Sequence, residues 1–154
     1  MAGQVEKRLA NAGVKLPLAG APSGSYVPAV VTGNLVFMAG QIPNRDGQVA
    51  VKGRLGADVS IEQGYEGAKI CAINLLAQLK KEIGDLDRVR RCVRVGGFVC
   101  CTTEFAEQAK VSNGASELFA LAFGDSGRHA RTTVGVPALP LGAAVEIEAV
   151  FEIG

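Results

Sequence analysis

The stretch that decides the fold is Ala144-Val145-Glu146-Ile147-Glu148-Ala149-Val150-Phe151-Glu152-Ile153, near the C-terminal end of the chain. Side chains alternate along it with a period of two, which predicts a β-strand. One face carries Val145, Ile147, Ala149, Phe151 and Ile153, and the other carries Glu146, Glu148, Val150 and Glu152. The apolar face is expected under helices. The acidic face is either open to solvent or covered by another subunit, which would desolvate a carboxylate and raise its pKa.

A second strand is predicted from His129 to Val136, joined to the first by the turn 137–142. Along it Arg131 and Thr133 share one face. An arginine beside small hydroxyl residues can hold a carboxylate through two parallel hydrogen bonds. The alternative is an ordinary solvent-exposed arginine.

A β-hairpin is predicted earlier in the chain. Tyr26–Val31 and Leu35–Gln41 flank the pair Gly33-Asn34, which suits a two-residue turn with positive φ. The small residues Ala39 and Gly40 would let backbone amides approach a ligand, or would simply allow tight packing. A turn at 44–47 and a short strand at 48–51 follow.

Helical periodicity predicts three helices. The N-terminal one spans 5–12, is closed by Gly13 and reads as an appendage. A second begins at a capping box of Ser60 and Gln63 and ends at Gly84. A third is expected from 104 to 123, with Thr103 as its cap and a weak point at 113–114.

A long strand at 89–101 lies between the last two helices. Its alternation places Val93, Val95 and Val99 on one side, and the pair Gly96-Gly97 favours a bulge. Strands and helices do not alternate strictly along the chain, as they would in a doubly wound βα fold. The order of elements therefore predicts an α+β domain with a mixed sheet and two main helices packed on one face.

Length and composition restrict the function. The chain has 154 residues, enough for one domain, and a formal net charge of +1. That charge argues against a nucleic-acid binder, and no apolar segment predicts a signal peptide or membrane span, so a cytoplasmic protein is expected. Four cysteines (71, 92, 100 and 101) and one histidine (129) show no metal-ligand spacing, and we expect the cysteines to be reduced core residues.

Four segments together resemble the RidA/YjgF family of reactive-intermediate deaminases. They are Gly24-Ser25-Tyr26-Val27-Pro28, Gly33-Asn34-Leu35-Val36-Phe37-Met38-Ala39-Gly40-Gln41-Ile42-Pro43, Ala130-Arg131-Thr132-Thr133-Val134, and Leu139-Pro140-Leu141-Gly142-Ala143-Ala144-Val145-Glu146-Ile147-Glu148-Ala149. The resemblance spans about residues 20–153 in the family's order. It divides the chain into an N-terminal extension with a short helix (1–19) and a RidA/YjgF-like domain (20–154).

The resemblance implies a chorismate-mutase-like fold and a homotrimeric barrel with ligand clefts between subunits. It implies that Arg131 grips the carboxylate of a 2-imino or 2-enamino acid and that Glu146 activates water. The substrate-binding positions it implies are Tyr26, Ala39, Gly40, Asn113, Arg131 and Thr133. No metal or organic cofactor is implied, and the expected partners are a small 2-imino or 2-oxo acid and two further copies of the chain.

The chain departs from the family at three places. Thr133 stands where many members carry Cys, Ala39 stands where Ser often precedes the glycine, and the N-terminal extension is additional. These differences indicate a divergent subgroup. The predicted function is hydrolysis of imino acids such as 2-iminobutanoate or 2-aminoacrylate to 2-oxo acids and ammonia. The alternatives are a non-catalytic module that binds small carboxylates and an endoribonuclease or translation inhibitor.

Overall fold

A computed structural model, which describes residues 2–154, is built on a five-stranded mixed sheet with two long helices on one face. The helices are α1 (Gln4–Asn11), α2 (Ile61–Ile83) and α3 (Gln108–Phe123). The strands are β1 (Ala29–Thr32), β2 (Leu35–Gln41), β3 (Asn44–Arg45), β4 (Gln48–Val49), β5 (Val89–Cys100), β6 (Ala130–Val136) and β7 (Val145–Ile153). Short 3₁₀ turns lie at 86–88, 124–127 and 140–142.

The sheet order is β1-β2-β7-β5-β6, and only the β5–β6 pair is parallel. Strands β3 and β4 form a separate two-stranded sheet. Helices α2 and α3 cover one face of the large sheet, and its other face, called here the open face, carries no element of the described chain. The predicted α+β fold is confirmed.

The alternation of β7 decides which side of the sheet is buried. Its odd-numbered residues from Val145 to Ile153 are buried and its even-numbered residues are partly exposed. The buried side chains pack with apolar residues of α2 and α3, including Leu75, Leu79 and Phe119, which are fully buried. The three glutamates of β7 lie on the open face.

The capping box at the start of α2 is confirmed. The Ser60 side chain accepts from the Gln63 amide, and the Gln63 side chain accepts from the Ser60 amide. Gly84 ends the helix with a φ of 86°.

The third helix differs from its prediction at two points. It begins at Gln108 rather than 104, and Thr103 does not cap it: the Thr103 hydroxyl donates to the Glu104 carboxylate. It also runs unbroken through Gly114. A Cβ at Gly114 would lie 2.0 Å from the carbonyl oxygen of Tyr65, so glycine there permits α2 and α3 to approach closely.

Strand β5 is bulged, but not at the predicted place. Gly96 and Gly97 pair in register with β7, and the irregularities lie between Val89 and Arg91 and between Cys92 and Arg94. The second bulge changes the alternation, so that Cys92 is buried with Val95 while Val93 is only partly buried. The sequence placed Val93 on the side of Val95 and Val99, and this bulge interrupts the alternation on which that placement rested.

The first hairpin turns at Gly33-Asn34 as predicted, and Gly33 has a φ of 58°. The first strand begins at Ala29, three residues later than expected. Pro28 has no amide hydrogen for the ladder, although its carbonyl oxygen accepts from the Ala39 amide at 2.9 Å.

Helix α1 packs on the domain and is not an appendage. Val5 and Leu9 are buried in the common core, and the Asp87 carboxylate accepts from the amides of Gln4 and Val5 at 2.7 and 2.9 Å. These bonds satisfy helix N-terminal amides from a residue far along the sequence. The division of the chain at residues 19 and 20 stays a prediction.

The four cysteines are free and buried, as expected. Burial raises the pKa of Cys92 to about 12, so this thiol stays protonated at neutral pH.

Candidate functional site

Arg131 lies on the helix-covered face of edge strand β6, beneath α3. Its Nη1 donates to Asn113 Oδ1 at 2.9 Å and to Ser116 Oγ at 3.0 Å, and its Nη2 donates to the Ala109 carbonyl at 3.3 Å. A guanidinium has five N–H groups, and within residues 2–154 the Nε–H and one Nη2–H have no acceptor. These two hydrogens form one edge of the group and can bind a carboxylate with parallel bonds.

Two buried hydroxyls lie near this arginine. The oxygens Ser112 Oγ and Thr133 Oγ1 are buried and have no hydrogen-bond partner within residues 2–154. Both point at Gly97, where an added Cβ would lie 2.3 Å from Ser112 Oγ and 3.1 Å from Thr133 Oγ1. Thr133 shares the face of Arg131, as the sequence predicted.

Glu146 lies on the open face, at the start of β7. The register between β2 and β7 shifts between Met38 and Gln41, and this bulge brings Gly40 against the Glu146 carboxylate. A Cβ on Gly40 would lie 2.9 Å from Glu146 Oε2, so the carboxylate would have to shift from its present position if residue 40 carried a side chain.

The electrostatics of Glu146 favour a proton. Partial burial, and then the nearby charge of Glu148, raise the pKa of the Glu146 carboxyl above its usual range. Glu148 is itself paired with Arg94 at 3.2 Å. In the described part of the chain, no group donates a hydrogen bond to Glu146, which leaves its oxygens free for a ligand or water.

Glu146 opens into a groove of about 1190 Å³. Tyr26 and Gly40 also line the groove, as does the segment 15–23 that follows α1. That segment is held against α2 because Gln78 Nε2 donates to the Gly20 carbonyl at 2.7 Å. Ala39 lies within the bulge but does not line the groove.

The predicted site residues therefore form two groups within one chain. Arg131, Asn113 and Thr133 form the first group, on the helix-covered face of the sheet and beneath α3. Tyr26, Gly40 and Glu146 form the second group, in the groove. Strand β5 separates β6 from β7, and the two groups lie on opposite faces of the sheet, so they do not meet within one chain.

Residues 6–152 match the profile of the family described as "YjgF/chorismate_mutase-like, putative endoribonuclease". The chain belongs to this family. It is 43% identical to Protein TCP17 of Trypanosoma cruzi over 152 residues. This alignment covers 98% of this chain and 95% of TCP17.

Two solved structures of similar proteins show the same fold. Protein Atu1372 of Agrobacterium tumefaciens, of unknown function, is 44% identical with a TM-score of 0.92 and covers 97% of this chain and 92% of its own. RidA from an Antarctic Psychrobacter is 25% identical with a TM-score of 0.61 and covers 88% and 94%. The expected resemblance to the RidA/YjgF family is confirmed.

The sequence did not indicate three residues around Arg131. Ser112 and Ser116 are on α3 and His129 precedes β6, and only the fold brings them together.

Within residues 2–154 no group of three His, Cys, Asp or Glu side chains is placed to hold a metal ion. None of the described helices is long and apolar enough to cross a membrane.

Proposed function

We propose that the protein hydrolyses 2-imino acids, and their 2-enamino tautomers, to 2-oxo acids and ammonia in clefts between the subunits of a homotrimer. The observation that carries this proposal is Glu146: a partly buried carboxylate with a raised pKa and no donor within the described chain, facing a groove. A carboxylate with these properties suits the transfer of a proton to and from water.

A second copy of the chain would complete the site. The open face carries exposed apolar side chains, with Val30 52%, Phe37 46% and Val134 43% exposed. In the register of the sheet Val30 lies beside Phe37, and Val134 lies in the row of Glu146. Such a face favours association of copies. We propose that this association brings Arg131, on the edge strand β6 of one copy, to the Glu146 groove of its neighbour.

In the proposed reaction the substrate carboxylate binds the free edge of Arg131. Glu146 accepts a proton from water as the water oxygen bonds to the imine carbon. Glu146 returns this proton to the imine nitrogen, which completes the carbinolamine. It then accepts the proton of the carbinolamine hydroxyl and passes it to the same nitrogen, the carbon–nitrogen bond breaks, and ammonia leaves as the 2-oxo acid forms. Because the substrate is an activated imine, these side chains suffice without a cofactor.

A proton acceptor beside the cleft distinguishes this proposal from a module that only binds carboxylates. A carboxylate near the bound ligand repels the ligand's own carboxylate and so weakens binding. Its presence is therefore useful in an enzyme that has to transfer a proton, and unfavourable in a module that only binds acids. An endoribonuclease is less well supported, since the chain has a net charge of +1 and its single histidine is bonded at both ring nitrogens.

The test is a coupled assay in which a threonine dehydratase generates 2-iminobutanoate and semicarbazide competes for it. The protein should accelerate release of 2-oxobutanoate, and Arg131→Ala should abolish that effect. Arg131→Lys keeps the charge but loses the planar pair of donors, so substrate capture should weaken by about 1.5–3 kcal/mol. Light scattering should give three times the chain mass of 15.9 kDa. No acceleration by the wild-type protein would refute the proposed reaction.

A further inference from the structure

A chain of hydrogen bonds ends on the Arg131 guanidinium and includes two residues to which the proposed reaction gives no role. His129 Nδ1 lies 2.6 Å from the Gly127 carbonyl oxygen, and His129 Nε2 lies 2.8 Å from Ser116 Oγ. Ser116 Oγ in turn lies 3.0 Å from Arg131 Nη1. This series of hydrogen bonds thus links a backbone carbonyl, an imidazole, a hydroxyl and the guanidinium.

The chemistry of each group fixes the direction of these bonds. A carbonyl oxygen only accepts, so His129 Nδ1 carries the hydrogen, and Nε2 of the neutral ring is an acceptor. The Ser116 hydroxyl therefore donates to Nε2 and accepts from Arg131, which can only donate. Every bond has one donor and one acceptor, and the position of the Ser116 oxygen is set by His129.

The surroundings keep His129 neutral. Burial lowers the pKa of His129 and the charge of Arg131 lowers it further, while the bond to the Gly127 carbonyl opposes them. Ser116 and Phe119 face the ring from α3, and the Phe119 ring meets it edge-on with centroids 6.0 Å apart. The nearby charged pair Asp125 and Arg128 is exposed to solvent.

We propose that Ser116 and His129 are positioning residues that orient Arg131 so that its free edge meets the carboxylate of the substrate. This inference rests on the proposed function, because it assigns Arg131 as the carboxylate-binding group. Asn113 holds the other side of Nη1, and the two bonds together fix the plane of the guanidinium. A guanidinium held in one plane loses less entropy on binding than one that rotates.

The experiment measures steady-state kinetics on 2-iminobutanoate and calorimetric binding of 2-oxobutanoate, an unreactive product. The variants are Ser116→Ala, His129→Asn, His129→Gln, the double variant Ser116→Ala with His129→Asn, and Arg131→Ala. The Asn side chain is long enough only for the Gly127 carbonyl. The longer Gln side chain places an amide oxygen where Nε2 accepts from Ser116, and it is the matched rescue variant.

Ser116→Ala and His129→Asn should each raise KM and the Kd of 2-oxobutanoate roughly threefold to tenfold, with kcat within about twofold of wild type. The double variant should have the same KM and Kd as Ser116→Ala alone, because His129 acts on Arg131 only through the Ser116 hydroxyl. His129→Gln should recover most of the loss. Thermal melts identify any variant that fails to fold.

Additive effects in the double variant, no rescue by Gln, or an unchanged KM would overturn the inference, provided that Arg131→Ala abolishes binding. Binding of 2-oxobutanoate by Arg131→Ala as tightly as by wild type would instead remove Arg131 from the proposed function itself. The two failures are therefore distinguishable.

Discussion

Replacing Gly40 by Ala tests whether the position of the Glu146 carboxylate matters for turnover. The added Cβ would lie 2.9 Å from Glu146 Oε2 and 3.0 Å from its Cδ, so the carboxylate would have to move to reach van der Waals distance. Ordinary contact begins at 3.4 Å, so the shift needed is about 0.5 Å, and a misplacement of about 1 Å at a reacting group can cost roughly 10²-fold in rate. We expect turnover of 2-iminobutanoate to fall between about tenfold and 10²-fold, with stability changed by less than about 1 kcal/mol.

Gly96→Ala is the matched control. Its Cβ would lie 2.6 Å from Glu148 Oε1, which is a closer contact than the one at Gly40. The glutamate that it displaces is Glu148, which lies on the same face of the sheet as Glu146. Glu148 forms a partly exposed pair with Arg94, whose loss costs about 1 kcal/mol or less. Turnover of the control should stay within about threefold of wild type.

Both variants are assayed with the dehydratase and semicarbazide, and light scattering verifies that each has the mass of the wild-type assembly. Equal turnover in Gly40→Ala and wild type would refute the role of the Glu146 position. An equal loss in both variants would show that a general disturbance of the open face, and not Glu146, limits the reaction.

The other predictions concern Glu146, Asp87 and Gly114. Glu146→Gln should lower turnover by roughly 10²-fold yet stabilise the fold at pH 7, because a raised pKa makes ionised Glu146 unfavourable; melting curves should show this gain shrinking as pH falls and the carboxyl becomes protonated. Asp87→Ala should lower the free energy of unfolding by about 0.5–2 kcal/mol and speed hydrogen exchange in α1, because the amides of Gln4 and Val5 lose their acceptor. In the wild type these hydrogen bonds lower the pKa of Asp87, so their contribution to stability should be lost only as pH falls through that lowered pKa. Gly114→Ala should destabilise by about 3 kcal/mol or more in denaturant, since its Cβ would lie 2.0 Å from a backbone oxygen of α2.

The parts of the fold that the sequence predicted depend on local chemistry. The alternation of β7, the Ser60–Gln63 capping box and the Gly33-Asn34 turn each involve neighbours in sequence, and each is present in the structure. Arg131 and Thr133 share a face for the same reason, because strand geometry fixes it.

The parts that failed depend on contacts between distant residues. Gly114 has low helix propensity, so the sequence indicated a weak point, but in the structure this glycine packs directly against the backbone of α2 at Tyr65. Helix α1 looked detached because its capping residue, Asp87, lies 83 positions from Gln4. The Ser116–His129 bond joins α3 to the residue that precedes β6, and no spacing in the sequence signals it.

The central claim is that Arg131 of one copy and Glu146 of another act on one substrate. As pure proteins, Arg131→Ala should be inactive and Glu146→Gln should keep no more than about 1% of wild-type turnover. When the two are mixed, unfolded and refolded together at equal concentration, random assembly should place both wild-type residues in about a quarter of the clefts. We therefore expect the mixture to regain about a quarter of wild-type turnover. A refolded mixture of wild-type mass that stays inactive would contradict the account.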